Sequence, residues 1–387
     1  MNNRIVIAGG GYAGLFAAAR LSQSSGMKVT LIDASPQFTE RVRLHEYLAG
    51  RPLKSYPYRE ICKNMGLEFI QGRITKLQPD QQSLIVEGAE GARSVTYDGL
   101  LYALGSRTRH APDMPGLDHH AFRLDAGHSL DQARLRLAAL PAGRTVTVLG
   151  AGLTGLEAAT EIKEAYPHLD VALWEAGLAF QNYAPGAARE IRAVLEKLGV
   201  SLHENHRAAC VREDAVQAAD GSWHASAFTL NCLGLEVAPL ARESGIRTNE
   251  RGQIQVDPFL RSLSHPNILA LGDAAELDSR SALFQRMSCA AACPMGTYAA
   301  DVLQRLQSGR KLLPFRFGFT ARCLSLGRKA ALVQMVNVRD EPRRLYFRGR
   351  LAVWIKEMIC RATVNVPLWE ARSGLALNQW YQPRELK

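Results

Sequence analysis

The sequence predicts an α/β protein with two similar β-α-β domains and a C-terminal α+β cap. Three observations lead to this prediction. A glycine-rich turn between an apolar strand and a helix occurs near the N-terminus and again near residue 150. Each copy is followed by a second strand that ends in a carboxylate. The residues after 310 carry most of the excess basic charge and alternate strand-like and helical runs.

The first copy begins with the apolar strand Arg4–Ala8 and continues into the G-x-G-x-x-G run 9–14. A helix opens there, and a second strand ends at Asp33, 19 residues after Gly14. This spacing is close to the ~20 residues of the dinucleotide-binding fingerprint. The first glycine allows a tight turn, the second lets a pyrophosphate approach the backbone, and the third lets helix and strand pack closely.

The second copy repeats this order with the strand 146–149, the glycine run 150–155 and Glu175, which lies 20 residues after Gly155. Each helix N-terminus offers unpaired N–H groups to phosphates, and each carboxylate can accept hydrogen bonds from a ribose diol. Two Rossmann-like sites in one chain predict electron transfer between two dinucleotides, and hence an oxidoreductase. Glu175 favours NADH over NADPH, because its charge would repel a 2′-phosphate.

The composition is that of an ordinary globular protein, with 387 residues, 47% hydrophobic and 22% charged. This length suits two or three domains. We find no apolar run of ~18 residues that would predict a transmembrane helix. The first strand leaves no room for a signal peptide, so a cytoplasmic location with reduced cysteines is expected. No C-x-x-C pair or His/Cys cluster predicts a metal site.

The net charge of +10 is unevenly distributed. From Arg310 onward there are 16 basic and 5 acidic residues, and Trp354, Trp369 and Trp380 lie in the same segment. Such a segment could contact an anionic membrane from the cytoplasmic side, attract an anionic substrate, or be simply a solvated surface. These alternatives stay open, as does a homodimer. Nucleic acid is not an expected partner, since no binding motif accompanies the charge.

Other strands and turns suggest how the domains are connected. An apolar strand closes on Gly105, prolines 112 and 115 then mark a crossing, and the chain returns after Pro239 to a strand that ends at Gly272-Asp273. A small-residue helix is predicted over about 288–307, a strand over 331–336 and a helix over 351–361. The predicted domains are 1–110 with 240–310 for the first dinucleotide, 111–239 for the second, and the cap 311–387.

With these motifs in place, the chain resembles the flavoproteins that have two dinucleotide-binding domains and a glutathione-reductase-like fold. Within them it is similar to type II NADH dehydrogenases and short apoptosis-inducing-factor-like enzymes. The resemblance rests on both glycine runs, on residues 102–105 in place of the usual A-T-G, and on the G-D pair 272–273. It implies that the first domain binds FAD and the second binds NADH. It also implies that electrons pass through FAD to a quinone or quinone-like aromatic acceptor.

The resemblance implies two sets of cofactor-binding residues. For FAD they are Gly9, Gly11, Tyr12, Ala13, Gly14, Asp33, Arg43, Ile74, Gly105, Gly272 and Asp273. For NAD(H) they are Gly150, Gly152, Gly155 and Glu175. The segment 38–46 is expected beside the isoalloxazine ring, where Arg43 could neutralise negative charge and His45 could donate a proton.

Glu161 is the other candidate catalytic residue. The resemblance implies that it lies beside flavin and nicotinamide and assists proton transfer to the acceptor. Helical spacing places Glu161 on the same face as Glu157. An exposed helix position is the alternative, and a functional Glu161 should be partly buried with a raised pKa.

Two departures from the family pattern bear on the acceptor. Quinone-reducing members often carry A-Q-x-A-x-Q-Q-G after the G-D pair, but residues 289–296 have none of those glutamines. Residues 33–59 contain no cysteine, which excludes the usual disulfide-reductase pair.

Cys289 and Cys293 are expected to be packing residues, with redox activity left open. A soluble FAD-dependent biosynthetic oxidoreductase acting on a specific small molecule, or a redox-sensing binding protein, therefore remain alternatives.

Overall fold

The structure is a computed structural model that describes residues 3–125, 127–377 and 380. The N-terminal part forms three helices and ten strands. Helices α1–α3 are Tyr12–Leu21, Leu44–Leu48 and Tyr58–Met65. Strands β1–β10 are Asn3–Ala8, Met27–Asp33, Gln37–Phe38, Tyr56–Pro57, Glu68–Gln71, Arg73–Gln78, Ser83–Gly88, Gly91–Thr96, Gly99–Tyr102 and Arg107–Thr108.

The middle of the chain forms four helices and nine strands. Helices α4–α7 are Leu117–His120, His128–Ala138, Leu153–Ala165 and Pro185–Leu198. Strands β11–β19 are Ala121–Arg123, Thr145–Leu149, Asp170–Trp174, Val200–His203, Ala208–Val211, Ala215–Ala218, Trp223–Ala225, Phe228–Asn231 and Leu235–Glu236.

The last part contains the return to the first sheet and the cap. The returning chain forms α8 (Leu240–Glu243), β20 (Ile254–Gln255), β21 (Ile268–Ala270), β22 (Ala275–Glu276) and α9 (Cys289–Gln307). The cap forms β23 (Ala321–Ser325), β24 (Ala331–Val336), β25 (Pro342–Arg348) and α10 (Gly349–Ser373).

Two parallel sheets of five strands dominate the molecule. The first has the order β21-β9-β1-β2-β5 and the second the order β11-β18-β12-β13-β14. In each, the strand that precedes the glycine turn lies in the centre. The central strands are almost fully buried, as expected of parallel strands covered on both faces. The predicted α/β class with Rossmann-like sheets is confirmed, whereas the exact domain bounds stay a prediction.

Helix α9 packs directly on α1, and this contact needs a glycine. A Cβ added at Gly296 would lie 2.1 Å from the carbonyl oxygen of Ala13. No side chain fits between the two backbones. The predicted small-residue helix therefore packs on the start of α1, directly after the first glycine turn.

The cap consists of the antiparallel sheet β23-β24-β25 and α10. Helix α10 runs well beyond the predicted end at 361 and continues through Pro367. It continues because its second half buries Val364 and Pro367, and because buried Glu370 pairs with Arg20 of α1. Among the described residues, no helix is long and apolar enough to cross a membrane.

Candidate functional site

The first glycine turn, between β1 and α1, has a geometry that only glycine permits. Gly9 has φ +100°, and a Cβ there would lie 2.5 Å from the carbonyl oxygen of Ala103. A Cβ at Gly14 would lie 1.9 Å from the carbonyl oxygen of Gly9. The first and third glycines therefore hold strand and helix in close contact, as the fingerprint predicts.

The second turn, between β12 and α6, has almost the same dimensions. Gly150 has φ +97°, and a Cβ at Gly155 would lie 1.9 Å from its carbonyl oxygen. In contrast, Gly11 and Gly152 face open space, with no atom within 4 Å of an added Cβ. These two open positions are where the pyrophosphates of FAD and NAD(P)H would approach, so both turns fit a dinucleotide.

The two acids lie against their own glycine turns. Asp33 accepts hydrogen bonds from the N–H groups of Gly10, at 2.7 Å, and Ser35, at 2.8 Å, while burial raises its pKa. Glu175 accepts one from the N–H of Ala151 at 2.9 Å. Each carboxylate is thus hydrogen-bonded to the backbone of its own glycine turn, where a ribose diol would lie.

The G-D pair joins the first turn to the strand that ends at Gly105. The hydroxyl of Ser106 donates to Asp273 at 2.7 Å, and burial raises the pKa of that carboxyl. Arg41 donates to the carbonyl oxygen of Ser106 and partly offsets the charge of Asp273. Sequence reasoning missed Arg41, because nothing in the segment 38–46 distinguishes it from Arg43.

Near Ile74, which the resemblance assigns to FAD, a cavity of about 660 Å³ lies beyond β2 and β5. Gly72 and Arg73 line it, and Ile74 follows directly in β6. At the other end of the turn, Tyr12 is buried. Ala13 is buried under α9.

His45, Glu157 and Lys356 form a buried network between α2, α6 and α10. Nδ1 of His45 lies 3.7 Å from a carboxylate oxygen of Glu157, and the ammonium of Lys356 pairs with the same carboxylate. The backbone N–H of Ser325 donates to Glu157 at 3.0 Å. Nε2 of His45 is buried without a partner in the described part of the chain.

The charge states of this network follow from burial and pairing. Burial lowers the pKa of His45, which is therefore neutral. Burial disfavours the charged forms of Glu157 and Lys356, but the attraction between the two opposite charges outweighs this effect of burial. The pKa of Glu157 is held below its usual value and that of Lys356 above it. The site thus combines one neutral imidazole with one ion pair.

Glu161 lies one turn further along α6 and is 2% exposed. It accepts a hydrogen bond from Arg328 of the cap at 2.8 Å, and Arg51 lies 3.8 Å away. Burial raises its pKa, as expected of a functional Glu161. Sequence reasoning missed Lys356 and Arg328, since no spacing connects the cap to α6.

Arg43 is placed near the same cavity but is held by three carboxylates. It pairs with Glu40 at 3.1 Å, Glu46 at 3.0 Å and Glu357 at 2.9 Å. Its charge is therefore largely offset in this arrangement. The proposed contact of Arg43 with flavin or phosphate stays a prediction.

A small cavity of about 70 Å³ connects these groups. Its lining includes His45, Glu161, Arg328, Lys356 and Cys360. It lies where α2, α6 and the cap meet. The lining therefore places one imidazole, three carboxylates and several cations around one space.

The cysteines are all free thiols. Burial raises the pKa of Cys289 to about 11 and that of Cys293 well above its usual value. Both are therefore protonated, which agrees with a packing role. Within the described residues, no group of three or more His, Cys, Asp or Glu side chains could hold a metal ion.

Comparisons with known proteins agree with this geometry. Residues 3–296 match the family model described as pyridine nucleotide-disulphide oxidoreductase. An NADH dehydrogenase-like protein of Mycobacterium tuberculosis is 26% identical, over 96% of each chain. Demethylphylloquinone reductase NdbB of Synechocystis is 25% identical, over 91% of this chain and 93% of its own. The solved structure of NDH2 from Plasmodium falciparum superposes with a TM-score of 0.79 at 14% identity, over 96% of each chain.

The family model covers both glycine turns, the G-D pair and the start of α9. These are the parts of the structure in which the sequence predicts the two dinucleotide sites. The chain therefore belongs to the pyridine nucleotide-disulphide oxidoreductase family and is a flavin- and NAD(P)H-dependent oxidoreductase.

Proposed function

We propose that the protein oxidises NADH and passes the electrons through FAD to a quinone or quinone-like aromatic acceptor. The observation that carries the proposal is the buried network of His45, Glu157 and Lys356 beside a cavity of the cap. A quinone takes up two protons with two electrons, and this network holds protons in a site screened from water. The name of the Synechocystis relative, a demethylphylloquinone reductase, supports the same acceptor class.

FAD, when bound, supplies the ring that accepts hydride from the nicotinamide and releases electrons to the acceptor. The chain's own residues bind and orient the reactants. Gly11 and Gly152 admit the two pyrophosphates, while Asp33 and Glu175 hold the riboses.

His45 is the proposed proton relay to the acceptor: it is neutral at rest and can donate from Nε2 only after it has taken up a proton. Its Nε2 is buried and free for a ligand within the described residues, while Nδ1 faces Glu157. The negative charge of Glu157 stabilises the imidazolium that forms whenever His45 takes up a proton. Glu161, with its raised pKa and its hydrogen bond from Arg328, is proposed as a second proton carrier in the cavity lining.

Peripheral contact with an anionic membrane is part of the proposal. Helix α10 exposes one stripe of large apolar side chains: Leu351, Trp354, Met358 and Trp369. Arg350 and Arg361 lie beside this stripe and would attract acidic headgroups. The same helix carries Lys356 into the cavity, so α10 would contribute both to membrane contact and to the site.

A specific soluble acceptor is the second candidate. The cavity beside His45 is small and lined by paired cations and carboxylates, which favours a polar molecule. The absent glutamines of residues 289–296 agree with this alternative.

The test is anaerobic reduction of the yellow protein by NADH, followed by mixing with a soluble menaquinone or ubiquinone analogue. Rapid loss and rapid return of the flavin absorbance is the expected result. Loss without return would leave the NADH site intact and exclude a simple quinone as the acceptor. Carboxylated aromatic acceptors would then be tested in the same way.

A further inference from the structure

A cavity of about 190 Å³ lies at the carboxyl end of the second parallel sheet. Gly150 and Leu233 line it after β12 and β18. Trp174 and Ala176 line it on either side of Glu175. Ligands of open α/β sheets bind outside the carboxyl ends of the strands, so this cavity suits the ADP half of NAD(P)H.

Arg207 also lines this cavity, and the backbone fixes it beside the ribose-binding acid. The N–H of His206 donates to the carbonyl oxygen of Glu175 at 2.8 Å, and the N–H of Asn205 donates to that of Gly177 at 2.9 Å. The segment 205–207 therefore runs alongside the segment 175–177. In the described part of the chain, the Arg207 guanidinium has no hydrogen bond or ion pair.

The wall that carries Arg207 is built from aromatic rings. The His206 ring packs edge-on against Trp174 with centroids 4.2 Å apart, and His224 lies 5.1 Å from each of them. These contacts hold the backbone at His206 in place. Arg207 is thus presented from a rigid surface, although its own side chain is exposed.

The charge of Glu175 is already partly offset without a ligand. Its two oxygens accept the N–H groups of Ala151, at 2.9 Å, and Gly177, at 3.3 Å. The residues directly after Glu175 include no cation, so the fingerprint alone indicates only repulsion of a 2′-phosphate. The nearby cation is Arg207, which follows β14 and not β13, and a guanidinium pairs well with phosphate oxygens.

We propose that Arg207 binds the 2′-phosphate of NADPH, so that the protein uses NADPH in addition to the preferred NADH. The inference rests on the proposed placement of NAD(P)H in the second glycine turn. It is independent of the electron acceptor. It makes Arg207 a specificity-determining residue of the reductive half-reaction.

The test is calorimetric titration of the FAD-loaded protein with ADP-ribose and with 2′-phospho-ADP-ribose. Neither compound contains nicotinamide, so no electron transfer interferes. Arg207→Gln should weaken binding of the 2′-phosphorylated compound roughly tenfold or more, and leave ADP-ribose within about twofold. Arg207→Lys should recover part of the loss.

Arg212→Gln is the matched control. Arg212 stacks on Trp223 at 4.0 Å and is not part of the cavity lining, so this variant should change neither affinity. If Arg207→Gln lost affinity equally for both compounds, or for neither, the inference would be overturned while the NAD(P)H site would stay in place. Wild-type protein that binds neither compound would instead overturn the placement of the dinucleotide, and the inference with it.

Discussion

The carboxylate of Glu157 and the ammonium of Lys356 form a buried ion pair between residues 199 positions apart in the chain. The pair joins α6, which opens on the second glycine turn, to α10 of the cap. It therefore ties the domain of the second glycine turn to the wall of the cavity that contains His45.

Removing the charge of Glu157 should affect both stability and turnover. In Glu157→Gln the buried ammonium of Lys356 loses its counterion, which costs about 3–5 kcal/mol of unfolding free energy. Reoxidation by the acceptor should slow by roughly tenfold, and flavin reduction by NADH should change less. Urea unfolding and stopped-flow measurement of the two half-reactions check this.

Glu161→Gln is the informative comparison, because Glu161 pairs with cations in the cavity lining. It should be less destabilising than Glu157→Gln. Glu190→Gln, which removes an exposed pair with Arg348, should leave both half-reactions unchanged. If Glu157→Gln reoxidised at the wild-type rate, the proton network would be wrong.

The buried imidazole of His45 should make stability depend on pH. Burial lowers its pKa in the folded protein, so the unfolded chain takes up a proton more readily. The free energy of unfolding should therefore fall as pH drops below the ordinary histidine value of about 6.5. This part of the decrease should be missing in His45→Gln, as measured by urea unfolding at neutral pH and at mildly acidic pH.

Other titratable groups also contribute to the pH dependence of the free energy of unfolding, but their contributions can be distinguished from that of His45. His203 also has a pKa lowered by burial, and by His206 and His224, so His203→Gln serves as a second variant. The pKa of Glu157 is lowered in the folded protein, so its effect on the free energy of unfolding appears only at more acidic pH, below the ordinary carboxyl value. Parallel curves for wild type and His45→Gln would contradict the assignment of a neutral, buried His45.

The second glycine turn allows a test that separates folding from binding. Gly152→Ala adds a methyl group in open space, so the protein should fold normally, bind FAD and lose affinity for NADH. Gly155→Ala places a methyl 1.9 Å from the carbonyl oxygen of Gly150 and should distort the turn itself. Thermal unfolding and the NADH concentration needed for half-maximal bleaching measure the two effects. Unchanged NADH affinity in Gly152→Ala would place the pyrophosphate elsewhere.

Glu175 should contribute to NADH binding through its hydrogen bonds to the ribose. Glu175→Gln can still accept the N–H of Ala151 but loses the charge, so the KM for NADH should rise roughly tenfold. The KM for NADPH should rise less, since repulsion of the 2′-phosphate is relieved. Steady-state rates with both donors check this, and unchanged selectivity would contradict the ribose assignment.

The exposed stripe of α10 should bind anionic vesicles. Wild-type protein should sediment with phosphatidylserine-containing liposomes and less with neutral ones. Replacing Trp354 and Trp369 by serine should reduce this binding without changing NADH oxidation by a soluble acceptor, because both side chains are 59% exposed. Replacing exposed Trp223 of β17 by serine is the control. Wild-type protein that fails to sediment would favour the soluble acceptor.

The glycine turns and their acids were predictable because their physical requirements are local. A tight turn, an open pyrophosphate position and a close helix contact are all met within one β-α-β unit of about 30 residues. The repeated order of strand, glycine turn, helix and strand likewise predicted the β-α-β units from which both parallel sheets are built. For these elements, the structure reproduces the expected geometry at Gly9, Gly14, Gly150 and Gly155.

The end of α10 was not predictable, because its second half is held by burial against α1 and by the pair of Arg20 and Glu370. Such long-range contacts override the local tendency of a proline to end a helix. Arg43 shows the same limit. Its neighbour Glu46 is local, but its third carboxylate, Glu357, comes from α10.

The sequence by itself therefore determined that the chain has two dinucleotide turns and the acids that accompany them. Only the tertiary structure decided that Lys356 meets Glu157 and that Arg328 meets Glu161. It also decided that the backbone of 205–207 runs beside that of 175–177. The physical reason is that a turn is specified by neighbouring backbone dihedrals. A cavity between domains is instead specified by the packing of segments that have no regular spacing in the chain.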